Sequence, residues 1–523
     1  MVKEMLMIMM CLLCTKCDYV NSRIDSNIVY RANSFQQIVK ANRKRISESL
    51  FDGIYEGLEY PKAMQNMKFS SENTVKKLKE IYNEIEFYGE FKKGNLSLYD
   101  LYAEQYLRLL KGEVKYYDLE YGTYTYIYGY DFETVQMRKN VGSGKWNWMY
   151  EAVPDLSDDV IPFSVADMEF KNAPEISNGV AEYVRNAVMG YTLPTDSYYE
   201  AVAGWMKRKH DWDVKKDWIL EYPGVVPALF HIVRMMTEPG DGVILLTPVY
   251  YPFYNAIKMN QRVLAECPLK INGNRYEIDF DLLEALAKEP KNKLILLCNP
   301  HNPVGRVWTK EELMQIGRIC IDNHVFIACD EIHHDLIMPG YHQTVFAQIS
   351  EEFADHSMIC TAPSKTFNLA GMVTSNVIVP NPELRKKLYD FRESQAIYFC
   401  CMAGLKACEI AYTQCDAWLE ELLAVLAKNK AVLNQFMQSH FPEVKVFELE
   451  GTYLQWMDFN CLGLGYQELE QFMKQKAHIF MDEGYVFGKP GEGYERMNIA
   501  CPTLKLTEAL ERLDAAWKAY KGE

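Results

Sequence analysis

The stretch SMICTAPSKTFNLAG, Ser357 to Gly371, runs from an apolar segment into one lysine, Lys365, set among proline, serine and threonine. The run SMICT is apolar on both faces, which suits a strand buried inside a mainly parallel sheet. Four more runs share that character: GVILLT (Gly242–Thr247), LILLC (Leu294–Cys298), VFIAC (Val325–Cys329) and VTSNVIV (Val373–Val379). Amphipathic stretches lie between them. The clearest is TKEELMQIGRICIDN, Thr309 to Asn323. Thr309 is placed as its N-cap, Glu312 completes a capping box, and Leu313, Ile316 and Ile319–Cys320 share one face. Strand–helix–strand alternation of this kind, from about residue 185 onward, predicts an open α/β sheet.

In an open α/β sheet, ligands bind beyond the carboxyl ends of the strands. GVILLT is followed by PVYYPFY, with Tyr250; LILLC by NPHNPVGR, with Asn299 and Asn302; VFIAC by DEIHHD, with Asp330; and SMICT by APSKTFN, with Lys365. An aromatic ring, an amide, a carboxylate and an amine thus converge on one edge. Singly, each has an ordinary reading: packing for Tyr250, an Asx-and-proline turn for NPHNP, a helix cap for Asp330, a solvated charge for Lys365. Asp330, Glu331, His333, His334 and Asp335 could also be read as metal ligands. Adjacent histidines point apart, however, and no spaced third ligand set accompanies them, so no metal is expected.

Together the four residue types suit an electron-sink cofactor. A lysine amine can hold an aldehyde as a Schiff base. A carboxylate opposite a pyridine nitrogen keeps that nitrogen protonated, so the ring can absorb a carbanion's charge. An aromatic ring can stack on the cofactor face, and an amide can donate to its phenolate oxygen. That set describes pyridoxal 5'-phosphate.

At these residues a family is recognisable. NPHNPVGR, DEIHHD and PSKTFNLAG resemble aminotransferase class I/II, fold type I, and more narrowly its carbon–sulfur lyase branch, the cystathionine β-lyase type. GSGKWN (Gly142–Asn147), VADMEF (Val165–Phe170), GYT (Gly190–Thr192), PGVVPAL (Pro223–Leu229), EGTYLQWMDF (Glu450–Phe459) and RMNIACP (Arg496–Pro502) extend the likeness in the family's order, from about residue 138 to the end. The resemblance implies a large domain, residues 185–425, around a mainly parallel seven-stranded sheet. It implies a smaller α+β domain from 137–184 and 426–523. It assigns Lys365 to the Schiff base, Asp330 to the pyridine nitrogen, Asn302 to the phenolic oxygen and Tyr250 to the ring face. The phosphate falls to the turn Gly224–Val225–Val226 at a helix start, with Ser364 and Thr361 adding hydroxyls. Tyr191 reaches the phosphate of the other subunit's site in a homodimer, and Arg496 clamps the substrate carboxylate. Two departures favour the lyase branch over standard transaminases. LAGMVTSN carries no phosphate-binding arginine after the lysine, and His333 stands where transaminases often have a tyrosine. The implied reaction is α,β-elimination of L-cystathionine or related S-substituted cysteines; the alternatives are an aminotransferase and a regulatory protein that keeps the fold.

The totals agree with an enzyme of small molecules. The net charge of −15 argues against nucleic acid or an anionic membrane as a main partner. The fourteen cysteines are scattered, without paired zinc-type spacing, and the neighbours Cys400 and Cys401 read as small buried apolar residues. A reducing, cytoplasmic setting follows. Residues 1–136 differ in character: rich in Tyr, Lys, Glu and Asn, with almost no proline. Helical spacing is expected over Ser70–Lys93 and Ser97–Glu113, and one or two strands about a turn at Gly122. The apolar run Met5–Cys14 is too short to span a bilayer; it has signal-peptide length, but Glu4 and the missing cleavage site argue against one. The segment reads as an accessory extension or an over-extended start, since the 387 residues from Met137 form an enzyme-length chain by themselves.

Overall fold

The computed structural model describes residues 115–118, 123–126 and 130–522. The chain divides into two units at Tyr130–Asp131. In the first, β1 (Lys115–Asp118) and β2 (Thr123–Tyr126) pair antiparallel and flank Gly122 in the sequence. The helical stretches expected over Ser70–Lys93 and Ser97–Glu113, and the run Met5–Cys14, lie outside the described residues. In the second unit, Phe132 is buried against Phe170 and Trp418, with ring centroids 4.9 and 5.4 Å away.

The strands of the second unit, in chain order, are β3 (Ile219–Tyr222), β4 (Gly242–Thr247), β5 (Val263–Pro268), β6 (Lys270–Asn272), β7 (Arg275–Glu277), β8 (Asn292–Cys298), β9 (Phe326–Asp330), β10 (Ser357–Thr361), β11 (Ser375–Ile378), β12 (Lys445–Val446), β13 (Leu454–Asp458), β14 (Asp482–Glu483) and β15 (Tyr494–Asn498). Seven of them form the central sheet in the order β3-β11-β10-β9-β8-β4-β5. All run parallel except β11, which is antiparallel to both neighbours. The five apolar runs are the five consecutive strands from β11 to β4. β4, β8, β9 and β10 are apolar on both faces because helices cover both faces of the sheet. β11 also buries Ser375, which donates to the Tyr222 carbonyl at 3.2 Å, and Asn376, which accepts from the Tyr198 hydroxyl at 2.7 Å. The helix Val225–Met236 lays Leu229, Ile232 and Val233 against Leu245, Leu296, Ala328 and Met358 of the sheet.

The two outer strands carry no such run, for physical reasons. β5 is an edge strand whose exposure alternates along its second half. β3 contains Glu221, buried but held by Arg392 Nη1 at 3.0 Å, so its sequence is not uniformly apolar. The helix Lys310–Asp322 forms with the expected capping box of Thr309 and Glu312. Leu313, Ile316 and Cys320 are buried, and Ile319 is half-buried.

A second, four-stranded antiparallel sheet runs in the order β12-β13-β15-β14. Its register sets Arg496 of β15 between Trp456 of β13 and Asp482 of β14. Glu450 ties this sheet's approach to the loop after β8. Its Oε2 accepts from Arg306 Nε at 3.0 Å and from the Val307 backbone at 2.9 Å, while Oε1 accepts from Arg275 Nε at 2.7 Å. Every cysteine among the described residues is free. Cys400 and Cys401 correct the expectation of a buried pair: Cys400 is half-buried and Cys401, the N-cap of the helix Met402–Gln414, is exposed, since they lie in the segment that enters this helix and not in the sheet core. No helix among the described residues is long and apolar enough to cross a membrane.

Candidate active site

β4, β8, β9 and β10 are adjacent and parallel, so the residues just past them meet at one edge. Tyr250, Asn302, Asp330 and Lys365 line a single cavity of about 180 Å³. Gly224, Val225, Val226, Ser364, His333 and Thr374 line it too. A second cavity of about 180 Å³ shares Ala166, Tyr250 and Lys365 with the first. It continues to Tyr251, Lys474, Asp482, Glu483 and Arg496. Lys365 therefore stands where an inner and an outer chamber meet.

Lys365 sits in the short helix Pro363–Thr366 that follows β10. Its Nζ donates to the Ala166 carbonyl at 2.6 Å, and the Tyr453 hydroxyl donates to the same oxygen at 2.9 Å. That carbonyl is presented by an unusual turn: Val165, a β-branched residue, has φ +57°. Such a conformation costs roughly 1–3 kcal/mol and persists only when its surroundings over-determine it. Here they do. Val165 N donates to Asp482 Oδ2 at 2.9 Å, and Asn498 Nδ2 donates to the carbonyls of Val165 and Asp167 at 2.7 and 2.6 Å. Burial lowers the Lys365 amine to about 8, helped by Arg496 and Lys145 and opposed by Asp167 and Asp330.

Asp330 ends β9, buried, with Oδ1 accepting from the Ile332 backbone at 3.1 Å. Burial pushes its carboxyl up to about 6, against the pull of that hydrogen bond, Lys365 and His334. A cationic group seated in the cavity would bring it back down. Tyr250 is the N-cap of the helix Tyr251–Met259, and its backbone N–H donates to Asn302 O at 3.0 Å, fixing ring and amide together. Burial raises its phenol.

Arg496 is 2% exposed. Its Nη1 donates to Asn302 Oδ1 at 2.8 Å, its Nε and Nη2 to Asp482 Oδ2 at 3.2 and 2.5 Å, and the guanidinium lies 4.6 Å from the Phe487 ring centroid. Held on three sides, it points a fixed fork into the outer chamber. Gly224, at φ +122°, makes the abrupt entry into the helix Val225–Met236. The first N–H groups of a helix have no intrahelical partner, so the cavity meets an anion-binding end formed by Val225 and Val226.

His333 and His334 do diverge. His333 lines the inner cavity; burial, then Lys365 and Arg496, hold it well below the usual imidazole range, so it is neutral. His334 turns away and stacks on His210, ring centroids 4.2 Å apart. Asp335 accepts from His210 Nε2 at 2.8 Å, Trp205 Nε1 at 3.1 Å and Thr366 Oγ1 at 2.7 Å, which anchors the residue next to Lys365.

Thr361 departs from its expected place, and Tyr191, expected at the other subunit's site, lies outside the cavities of its own chain. Thr361 is fully buried at the end of β10; it does not line either cavity, and its Oγ1 has no hydrogen-bond partner. Tyr191 is 92% exposed, stacked on Phe399 at 5.0 Å and outside both cavities of its own chain. Conversely, Thr374, Asp482, Tyr453 and the Ala166 carbonyl carry the site without having been singled out. Tyr453 and Ala166 fall inside the stretches EGTYLQWMDF and VADMEF, so position in those stretches was the available signal. The amine, carboxylate, amide, aromatic face and helix N-terminus lining one cavity form a donor set that fits pyridoxal phosphate.

The sequence profile of the family described as aminotransferase class I and II matches residues 159–513. Cystathionine beta-lyase PatB of Bacillus subtilis is 37% identical over 386 residues, covering 74% of this chain and 99% of the relative. Among solved structures, cystalysin from Treponema denticola, which contains pyridoxal 5'-phosphate, is 49% identical with a TM-score of 0.74, over 75% of this chain and 100% of that one. A pyridoxal-phosphate-bound C–S lyase from Staphylococcus hominis is 28% identical with a TM-score of 0.68, over 75% and 98%. The chain belongs to the class I and II aminotransferase family, in its carbon–sulfur lyase branch.

Proposed function

We propose that the protein is a pyridoxal 5'-phosphate-dependent β-lyase that cleaves L-cystathionine, or a related S-substituted cysteine, to a thiol, pyruvate and ammonia. The observation that carries this is Lys365, a depressed amine at the junction of two chambers, one fitted to the cofactor and one bearing the carboxylate clamp Arg496. When bound, the cofactor supplies the electron sink for the charge left at the substrate Cα. Asp330 would hold its ring nitrogen, Asn302 its phenolic oxygen and Tyr250 its ring face. The backbone N–H groups of Val225 and Val226, with the hydroxyls of Ser364 and Thr374, would hold its phosphate.

The remaining work falls to the chain's own groups. Arg496 fixes the α-carboxylate bidentately, which fixes Cα relative to Lys365. The Lys365 amine, anchored on the Ala166 carbonyl, takes the Cα proton. The Cβ–S bond then breaks, its electron pair stays on sulfur, and the sulfur takes up the proton that Lys365 now holds and leaves as thiol toward the outer chamber. Aminoacrylate hydrolyses to pyruvate and ammonia. Release of free homocysteine from L-cystathionine by purified protein tests this reading; no thiol from any S-substituted cysteine would refute it.

A base must be unprotonated to act. Below the pKa of Lys365 the amine is charged and idle, so kcat should rise with pH and reach half its plateau near 8, not near the ordinary lysine value of 10.5. A kcat profile from about pH 6 to about pH 11 checks it.

We take residues 137–184 and 426–523 as the small domain, built around the β12–β15 sheet, and 185–425 as the large one. A cytoplasmic homodimer completes the proposal. The exposed apolar residues Val188, Met189, Tyr191, Leu193 and Phe399 favour it, since a second copy would cover them and bring Tyr191 to a neighbouring site.

A further inference from the structure

The outer chamber carries more charged chemistry than elimination requires. Resting on the β-lyase reading, the substrate Cα lies at Lys365 and its α-carboxylate at Arg496, while the inner chamber is fitted to the cofactor. The leaving group on Cβ is therefore directed into the rest of the outer chamber, whose wall includes Lys474 and Glu483. Lys474 projects from the helix Tyr466–Gln475 and Glu483 from β14.

Lys474 is shared between two carboxylates. Its Nζ meets Glu470 Oε1 at 2.8 Å and also pairs with Glu483. Tyr485 donates to the other Glu470 oxygen at 3.1 Å. Burial alone would lower the Lys474 amine, but these two partners outweigh it and hold it charged. Asp482, the third carboxylate of the chamber region, is committed to Arg496 and Val165 N and is not free for the leaving group. Glu495, buried behind on β15, is pushed far up, by burial first and then by Glu483. Within this group one cation faces two carboxylates, of which Glu483 lines the chamber and Glu470 stands behind Lys474, so the group's surplus is negative, while Arg496 and Asp482 offset each other. These side chains are partly buried, Glu483 being 16% exposed, so the surplus is only partly screened. A terminal ammonium on the leaving group gains a partner in Glu483. A terminal carboxylate must compete for a Lys474 already held twice.

We infer that Lys474, Glu470 and Glu483 make the outer chamber select thioether substrates whose leaving group carries an ammonium, and disfavour those that end in a carboxylate alone. A distal amino-acid head group, with both charges, can place its ammonium on Glu483 and its carboxylate on Lys474.

The test compares pyruvate release from S-(3-aminopropyl)-L-cysteine, S-(2-carboxyethyl)-L-cysteine and the neutral S-propyl-L-cysteine. These are similar in length and differ in terminal charge. The expected kcat/KM ratio of the ammonium to the carboxylate substrate is about tenfold or more in the native enzyme. Glu483→Gln should bring that ratio to within about twofold of unity, and Lys474→Gln should raise it further. Each ratio is taken within one protein, with the neutral substrate as reference, so a general loss of fold or activity does not imitate the shift. A native ratio near one, or two variants moving it in the same direction, overturns charge selection while leaving β-elimination standing. Pyruvate from none of the three while L-cystathionine is cleaved overturns this inference alone; pyruvate from none of the three nor from L-cystathionine overturns the elimination reading and this inference with it.

Discussion

Lys365→Ala should reduce pyruvate formation from L-cystathionine by about 10⁴-fold or more, because it removes both the cofactor's attachment and the base. The fold should survive. Lys365 is held by one hydrogen bond to the Ala166 carbonyl, and that oxygen keeps the Tyr453 hydroxyl at 2.9 Å when the amine is gone. The residue after it, Thr366, remains fixed to Asp335. The variant should therefore keep the native circular dichroism and melting behaviour while losing covalently held cofactor, seen as the loss of a visible chromophore that survives gel filtration. Elimination at more than a few per cent of the native rate would contradict the assignment.

Arg496→Ala should lower kcat/KM by about 10³-fold, since it removes a fixed bidentate clamp and leaves Cα free to wander from Lys365. It should also destabilise the protein by about 3 kcal/mol, for a reason separate from catalysis. Asp482 would be left with Val165 N as its one named donor, a carboxylate stranded in a shielded site. Arg496→Lys should recover part of the stability, since the charge beside Asp482 returns. It should recover little of the activity, since a lysine cannot reproduce the fork that reaches Asn302, Asp482 and the substrate together. Steady-state kinetics beside thermal unfolding separates the two effects. A variant with native kcat/KM would remove Arg496 from the site.

The sequence was most legible where one physical rule dominated. A strand covered on both faces admits a polar residue only where a partner is at hand, so β4, β8, β9 and β10 stand out as apolar runs. β11 does so less, because its buried Ser375 and Asn376 are bonded to Tyr222 and Tyr198. The rule about strand ends leads from the first four to Tyr250, Asn302, Asp330 and Lys365. The capping box at Thr309 and Glu312 is local chemistry and reads directly. Legibility fell where the signal depends on distant partners. Glu221 interrupts β3, and two distant partners, Arg392 and the Tyr199 hydroxyl, make it tolerable there. Asp482 lies in a two-residue strand and acquires its role by the β14–β15 register. The Ala166 carbonyl is a backbone atom, and no residue type announces it. Lys474 and Glu483 look like ordinary surface charges until the fold sets them at the rim of the outer chamber.

The central claim is elimination, and pyruvate release from L-cystathionine with no 2-oxo acid added tests it most directly. The account predicts pyruvate and homocysteine in equal amounts from purified, cofactor-loaded protein, unchanged when 2-oxoglutarate is supplied. Turnover that appears only with 2-oxoglutarate, and yields its amino acid in place of pyruvate, would contradict it and make the protein an aminotransferase.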